Sequence, residues 1–581
     1  MAFQVSPGVN VSEIDLTTVV PAVSSTTGAF AGVFSKGPVN LPVLVDSEVT
    51  LVERFGKPTS DNYESFFTVA NFLAYAGACY VVRVDNTATV ATATAPFTAK
   101  YAGTDSNNVE VLVVGDGAGE FETTSTLTEF LIDISVSRTT ATYNNSTSAL
   151  TLQDDDILEI GGYTLEIESV AGATITFKTK YTGFEDLGNG SEGVTTAATR
   201  YYAGYNAINA KPNAGRMHII VRDSIGTVLE TFPNVSPTES TKNVDGTSAY
   251  YKTVVDAGSN IITTVGATGA AITVSTGPRV VYQLLNGTAG ASETNTTMSA
   301  FAAGYDKFKE ADEIDISLVL LGKANSTLAS YVVDNICEHR KDCVAFISPE
   351  SGSTVDAMIT FRDLIGSTSY AVMDSGYKYQ YDKYNDVYRW LPLNGDIAGL
   401  CARTDNDRDP WFSPAGYNRG IIKNAIKLKL NPSKAQRDKL YASNINPVIT
   451  EAGQGTLLFG DKTLLTQPSA FDRINVRRLF IVLEKAVARA SKSTLFEFND
   501  EFTRAQFRNL VEPFLRDVQG RRGIYDFKVV ADETNNTSEV IDGNKFVGDI
   551  YIKPAKSINF IQLNFVAVRS GVEFDEIVGQ F

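Results

Sequence analysis

The sequence predicts a multidomain protein of α/β and α+β class: an α/β core, an inserted all-β domain and a C-terminal α+β domain. Three observations predict it. Between residues 314 and 373, apolar runs alternate with helical patterns in a β-α-β-α-β rhythm, which implies a parallel, right-handed open sheet. From Asn86 to about Arg200 the chain changes to short alternating segments divided by Gly, Asn and Asp, the pattern of a small sandwich or barrel. From Asn475 to Pro554, amphipathic helices precede two strand-like segments. A length of 581 residues accommodates several such domains.

Taken in order, residues 1–14 read as an exposed strand. Phe3, Val5, Val9 and Val11 point one way, with a turn at Pro7-Gly8. So short a strand is not stable alone; it needs a sheet edge in its own chain or in a neighbour. Residues 66–75 form a helix whose apolar face holds Phe66, Val69, Ala70 and Leu73 and which ends at Gly77. Residues 79–84 form a buried strand. In the β insertion, strands are expected at 109–114, 130–136, 157–160, 163–167 and 174–178. Further strands are expected at 217–221 and 227–231, and a helix at 298–309. The apolar run 314–321 reads as a strand buried on both faces. A helix at 326–341, a strand at 343–347, a helix at 355–365 and a strand at 370–373 follow.

Tyr377, Tyr379 and Tyr381 then alternate on a strand, with 387–390 pairing back across Asn385-Asp386. The segment 423–430 is a basic helix or strand, and Ser433 caps a helix after Pro432. Near the C-terminus, Leu479, Phe480, Leu483, Ala486, Val487 and Ala490 share one helix face. Arg477, Arg478, Ile481, Glu484, Lys485 and Arg489 share the other, with Asp472 or Asn475 as N-cap. A second helix starts near Asn499 or Asp500 with Glu501 in its first turn. Pro513 breaks it or opens a third, which Gly520 ends. Strands at 525–530 and 546–552 flank a polar DETNNT segment. Alternating residues at 561–567 and, past Gly571, Val572 and Phe574 resemble the N-terminal strand in pattern.

Charge and composition exclude several functions. The net charge of −17 argues against a general nucleic-acid binder. Residues 101–200 hold 16 acidic and 4 basic residues, so they present a solvated acidic surface, whereas 401–581 hold 26 basic and 22 acidic. The N-terminus lacks a secretory pattern and no apolar run spans a membrane. Cys79, Cys337, Cys343 and Cys401 contain no C-x-x-C pair and fit reduced, buried thiols. His218 and His339 are too few for a histidine-based triad or a multi-histidine metal site. Cys337, His339 and Cys343 lack zinc-site spacing. Gly115, Gly117 and Gly119 precede no helix for a dinucleotide to cap. Asp405, Asp407 and Asp409 are followed by Pro410 and Gly416 where a calcium loop needs Gly and Glu, so a solvated or salt-bridging loop is expected. Asp154–Asp156 read as surface. No enzyme and no cofactor are expected.

The order of motifs resembles the contractile-tail sheath proteins of bacteriophages. Those motifs are SPGVNVSEID, GVFSKGPVNLPVLV, RFGKP and CYVVRV near the start, WFSPAGYNRG at 411–420, then RRL, LFEFND, DETNN and GDIYIKP. The match covers roughly the first 85 residues and most of 314–556. The resemblance implies a structural subunit that forms stacked six-membered rings around a tail tube and contracts to drive the tube through the host envelope. It implies linking arms at 1–22 and 571–581, a sheath core at 23–85 and 345–450, an outward β insertion at 86–200, a second mixed insertion at 201–344 and an assembly domain at 451–570. It favours neighbouring copies, over the chain itself, as recipients of the terminal strands. Phe527, Val529, Phe546, Ile550 and Ile552 would form the acceptor sheet. Arg477, Arg478, Lys485 and Arg489 are candidates for facing the tube; ordinary helix-surface charge is the alternative. Its partners would be further copies of itself, the tail tube protein, and baseplate and terminator proteins, with no nucleic acid and no membrane insertion. It would be assembled in the host cytoplasm and reside in the virion tail. A non-contractile viral surface or capsid protein, or a glycan-binding or glycan-cleaving β insertion, remains open from the residues alone.

Overall fold

The computed structural model describes residues 25–75, 77–93, 96–115, 212–265 and 280–559, with strand segments between 130 and 201 and the single positions Ile208 and Ile272. The expected arm residues Phe3, Val5, Val9, Val11, Val572 and Phe574, the strand at 561–567, most of the 115–119 glycine run and Asp154–Asp156 lie outside the described residues.

A six-stranded sheet organises the core, in the order Pro42–Val45, Cys79–Arg83, Gly28–Gly32, Leu318–Leu320, Val344–Ile347 and Ala371–Met373. All neighbours run parallel except the edge strand Pro42–Val45. The continuous apolar runs arise because both faces are covered. Leu318, Leu320, Val344 and Phe346 pack to one side with the helices Tyr63–Leu73 and Asn394–Asp407. Val319, Ala345 and Ile347 pack to the other, with Met298–Tyr305, Ser326–Val332 and Val355–Ile365. The helix from Tyr63 closes at Ala74, before Gly77. Gly395 lets the two helices of the first face touch: a Cβ there would lie 2.4 Å from the Thr68 carbonyl oxygen.

The domain boundaries differ from expectation. Strand Leu318–Leu320, placed by sequence in the second insertion, is central to the core sheet. Glu110–Gly115 pairs with Met217–Arg222 and Val280–Gln283, so a sheet crosses the expected boundary at 200. The chain leaves the core once, at Asn86, and returns at Ala291. The Asn86 side-chain amide donates to the carbonyls of Ala289 and Ala291 at 3.0 and 2.8 Å and ties the two crossings together. Within this excursion a seven-stranded sheet lies between 130 and 201, the all-β part that composition predicted.

The Asp405–Asp409 run is salt-bridged, Asp405 to Arg478 and Asp409 to Arg521, but only Asp409 lies beyond the helix. Asp405 and Asp407 end the Asn394–Asp407 helix, whose Gly395, Asp396 and Gly399 hide it from propensity; burial between sheet and helix stabilises it instead. His339 is exposed while Cys337 and Cys343 are buried, so the three do not converge. No metal-holding group occurs among the described residues, and no helix among them is long and apolar enough to cross a membrane.

Candidate assembly surface

The C-terminal unit is a helical hairpin covered by a β-hairpin. Helix Ile474–Ser491 begins after Arg473, with no side-chain cap; neither Asp472 nor Asn475 caps it. Helix Glu501–Gly520 is capped by Asp500, whose carboxylate accepts the Thr503 amide at 2.8 Å. It runs unbroken through Pro513. Phe507, Val511, Leu515 and Val518 keep an uninterrupted buried stripe, and the proline sits on the exposed face, so packing outweighs the lost backbone bond.

Strands Ile524–Val530 and Asp549–Pro554 pair antiparallel, Phe527 opposite Ile552 and Val529 opposite Ile550. These four side chains face the helix Glu501–Gly520 in one apolar cluster. Phe546 precedes the second strand; its ring packs edge-on against Phe507 at 5.1 Å. The five residues expected to form an acceptor sheet therefore converge, with Phe546 as a wedge beneath the hairpin and not a strand position. The opposite face, with Tyr525 and Tyr551, is exposed. Among the described residues neither strand has a second partner. The asparagines of DETNNT shape the connection. Asn535 donates to the Val530 carbonyl at 2.8 Å, and Asn536 exchanges two bonds with the Val547 backbone at 2.8 and 2.9 Å. From the helix Glu501–Gly520, Arg508 reaches the Ala531 carbonyl at 2.6 Å.

The basic helix face points inward, a correction to the wheel. Arg478 is buried and pairs with Asp405 at 2.5 Å. Burial pushes the Asp405 carboxyl up, and the guanidinium opposes that. Arg477 is also buried, sandwiched over Tyr370 and Phe471 at 4.5 and 4.6 Å. Lys485 donates to Asp315 and Ser317 at 2.8 and 3.0 Å. Arg489, half exposed, also reaches Asp315 at 3.0 Å. The wheel placed these residues opposite the apolar stripe. In the fold that side meets acidic residues of the core, and Ile481 among them joins the core cluster. Arg477 and Arg478 are thereby withdrawn from any outward contact of the single subunit.

The WFSPAGYNRG segment clamps this unit to the core. The Trp411 indole donates to the Arg521 carbonyl at 3.1 Å, and its own carbonyl accepts from Asn475 at 3.3 Å. Arg521 stacks over the ring and pairs with Asp409. What sequence reasoning missed is the exposure of Leu495, Phe496, Phe498 and Phe502. Its signal was available: these residues belong to neither helix stripe.

The C-terminal unit is thus a hairpin on a helical pair, open-edged among the described residues and joined to a doubly covered parallel sheet. The chain belongs to the phage tail sheath protein family, whose members are structural subunits of the contractile tail. Matches are to the tail sheath protein Gp18 domain III N-terminal region over 25–84, the phage tail sheath protein central domain over 288–464 and the phage tail sheath C-terminal domain over 466–567. It is 34% identical to the tail sheath protein of Vibrio phage KVP40, covering 99% of both chains. It is likewise 34% identical to that of Enterobacteria phage T4, covering 99% of both. A sheath tail protein from Listeria innocua shares the fold with a TM-score of 0.52 at 11% identity, over 93% of this chain and 97% of the other.

Proposed function

We propose that the chain polymerises as stacked six-membered rings around a tail tube and, on a signal from the baseplate, shortens and widens to drive the tube through the host envelope for genome ejection. It is assembled in the host cytoplasm in an extended, high-energy form. Tube, baseplate and terminator proteins are its partners, and neither cofactor nor catalysis is involved.

The observation that carries this reading is the two-stranded hairpin Ile524–Val530 and Asp549–Pro554, whose outer edges are unpaired among the described residues. Open edges are templates for a further strand. Residues 1–22 and 571–581, with Phe3, Val5, Val9, Val11, Val572 and Phe574 alternating, supply strand-forming sequence of the right length. Such arms join copies through main-chain hydrogen bonds, each contributing about 1 kcal/mol net. These bonds persist while rigid bodies move, because they depend little on side chains. Exposed ion pairs, at about 0–1 kcal/mol each, are exchanged in that movement. Of the four tube-facing candidates, Arg489 is the one whose charge stays half exposed.

Deleting residues 1–12 tests the reading. The shortened chain is expected to fold as a soluble monomer and make no tubes. Full-length sheaths in electron micrographs of the truncated protein would falsify the arm assignment.

A further inference from the structure

We infer that the LFEFNDEF segment, residues 495–502, is a knob that inserts into a cleft at the other end of the helical hairpin of a second copy. The inference rests on the sheath reading and names one of its contacts.

The knob is built. Residue exposure runs from 63% at Leu495 to complete at Phe496, with Phe498 and Phe502 between. Four large apolar side chains within eight residues form a patch that a lone soluble subunit has no reason to present. The loop is held rigidly beneath them. Asn499 donates to the Lys545 carbonyl at 2.8 Å and to Asn536 at 3.2 Å, and Arg504 donates back to Asn499 at 3.0 Å. Phe496 has a φ of 70°, a backbone region that a bulky residue enters only at a cost. That conformation holds the ring out in solvent.

The hole lies at the opposite end. A cleft of about 1090 Å³ is floored by Trp411, Phe412, Phe459, Tyr525 and Ile558. Lys434, Arg437, Arg522 and Lys556 rim it, and none of the four is ion-paired among the described residues. Its acidic members are Asp438 and Asp461, and Asp461 is buried and paired with Arg473 at 3.0 Å. The knob carries Glu497, Asp500 and Glu501 beside its phenylalanines. Apolar tip meets apolar floor, and acidic flank meets basic rim.

The placement decides the occupant. Asn475 and Arg521 both bond Trp411 at the cleft, so the two helices end there together. The knob joins their other ends. Eighteen helical residues at 1.5 Å each put about 27 Å between knob and hole. One chain therefore cannot fill its own cleft without unfolding the pair. Knob and hole on different faces make a heterologous contact, the kind that propagates from copy to copy.

The test is cross-linking within polymers. The four native cysteines are buried, so Phe498→Cys and Phe459→Cys preparations each present one reactive thiol. Mixed, polymerised and oxidised, they are expected to give a disulfide-linked dimer. Either alone, or Phe498→Cys mixed with Ile225→Cys, an exposed position of the excursion that does not line the cleft, should not. The double variant Phe496→Ser/Phe498→Ser should keep its melting temperature, since both rings are exposed, and lose polymer yield at least tenfold. Polymers without the cross-link, or full yield from the double variant, overturn the contact and leave the sheath reading standing. Failure of the unsubstituted chain to polymerise counts against the sheath reading itself.

Discussion

Arg478 shows at the scale of one residue how this fold uses charge. Its guanidinium joins the C-terminal helix to the end of a core helix through Asp405, with both groups out of water. Removing one partner leaves a buried charge alone, which costs about 3–5 kcal/mol. Arg478→Met is therefore expected to lower unfolding free energy by that amount in urea titration. A change below about 1 kcal/mol would mean the pair is not buried. Glu293 is a second such residue. Burial, reinforced by the charge of Glu64, pushes its carboxyl up to about 8, and it accepts the Ser65 amide at 3.1 Å. Because the folded pKa is raised, the folded state holds the proton longer. Stability is full below about pH 4.5 and falls as pH rises through about 8, by at most about 5 kcal/mol. Glu293→Gln should leave the melting temperature nearly unchanged at pH 4.5 and raise it at pH 8.5. Equal effects at both pH values would contradict the assignment. Neither residue was legible in sequence. A helical wheel assigns charge to the side away from leucine, and only the partner's position reveals that this side is covered.

Elements were more legible than residues. Val355–Ile365 and the 377–392 hairpin follow directly from apolar period and turn chemistry, and Ser433 forms a capping box with Gln436 as its side chain predicts. The local rule that makes Pro513 a helix break fails because it leaves out the buried stripe running past the proline. Phe507, Val511, Leu515 and Val518 bury enough surface to carry the helix across it. Pro513→Ala should accordingly raise stability, by up to about 3 kcal/mol, the difference between the two residues in a helix interior. Guanidinium titration reads the change; a destabilised variant would show that the helix geometry depends on the proline. The Asn394–Asp407 helix is hidden in the sequence for the converse reason. Its glycines and aspartates oppose a helix, and burial against Thr68 and Tyr75 overrides them.

At the scale of the molecule, the sequence conveyed the parallel core, the all-β excursion and the α+β character of the C-terminal unit. It misplaced their borders. Strand pairing between Glu110–Gly115 and Met217–Arg222 joins positions about a hundred residues apart, which no local pattern records. The resulting body leaves its core by one tied pair of crossings at Asn86 and Ala291 and ends in a hairpin open on both sides among the described residues. An excursion so attached can be large without disturbing the core. The helix Glu501–Gly520 supports one face of this two-stranded hairpin, and under the proposed arm exchange its open edges take further strands from neighbouring copies. Backbone hydrogen exchange of Ile524–Val530 and Asp549–Pro554, compared between monomer and assembled sheath, tests this most directly. Amides on the outer edges should exchange quickly in the monomer and at least a hundredfold more slowly in the sheath, with the protection lost when residues 1–12 are absent. Equal exchange in monomer and sheath would contradict the account.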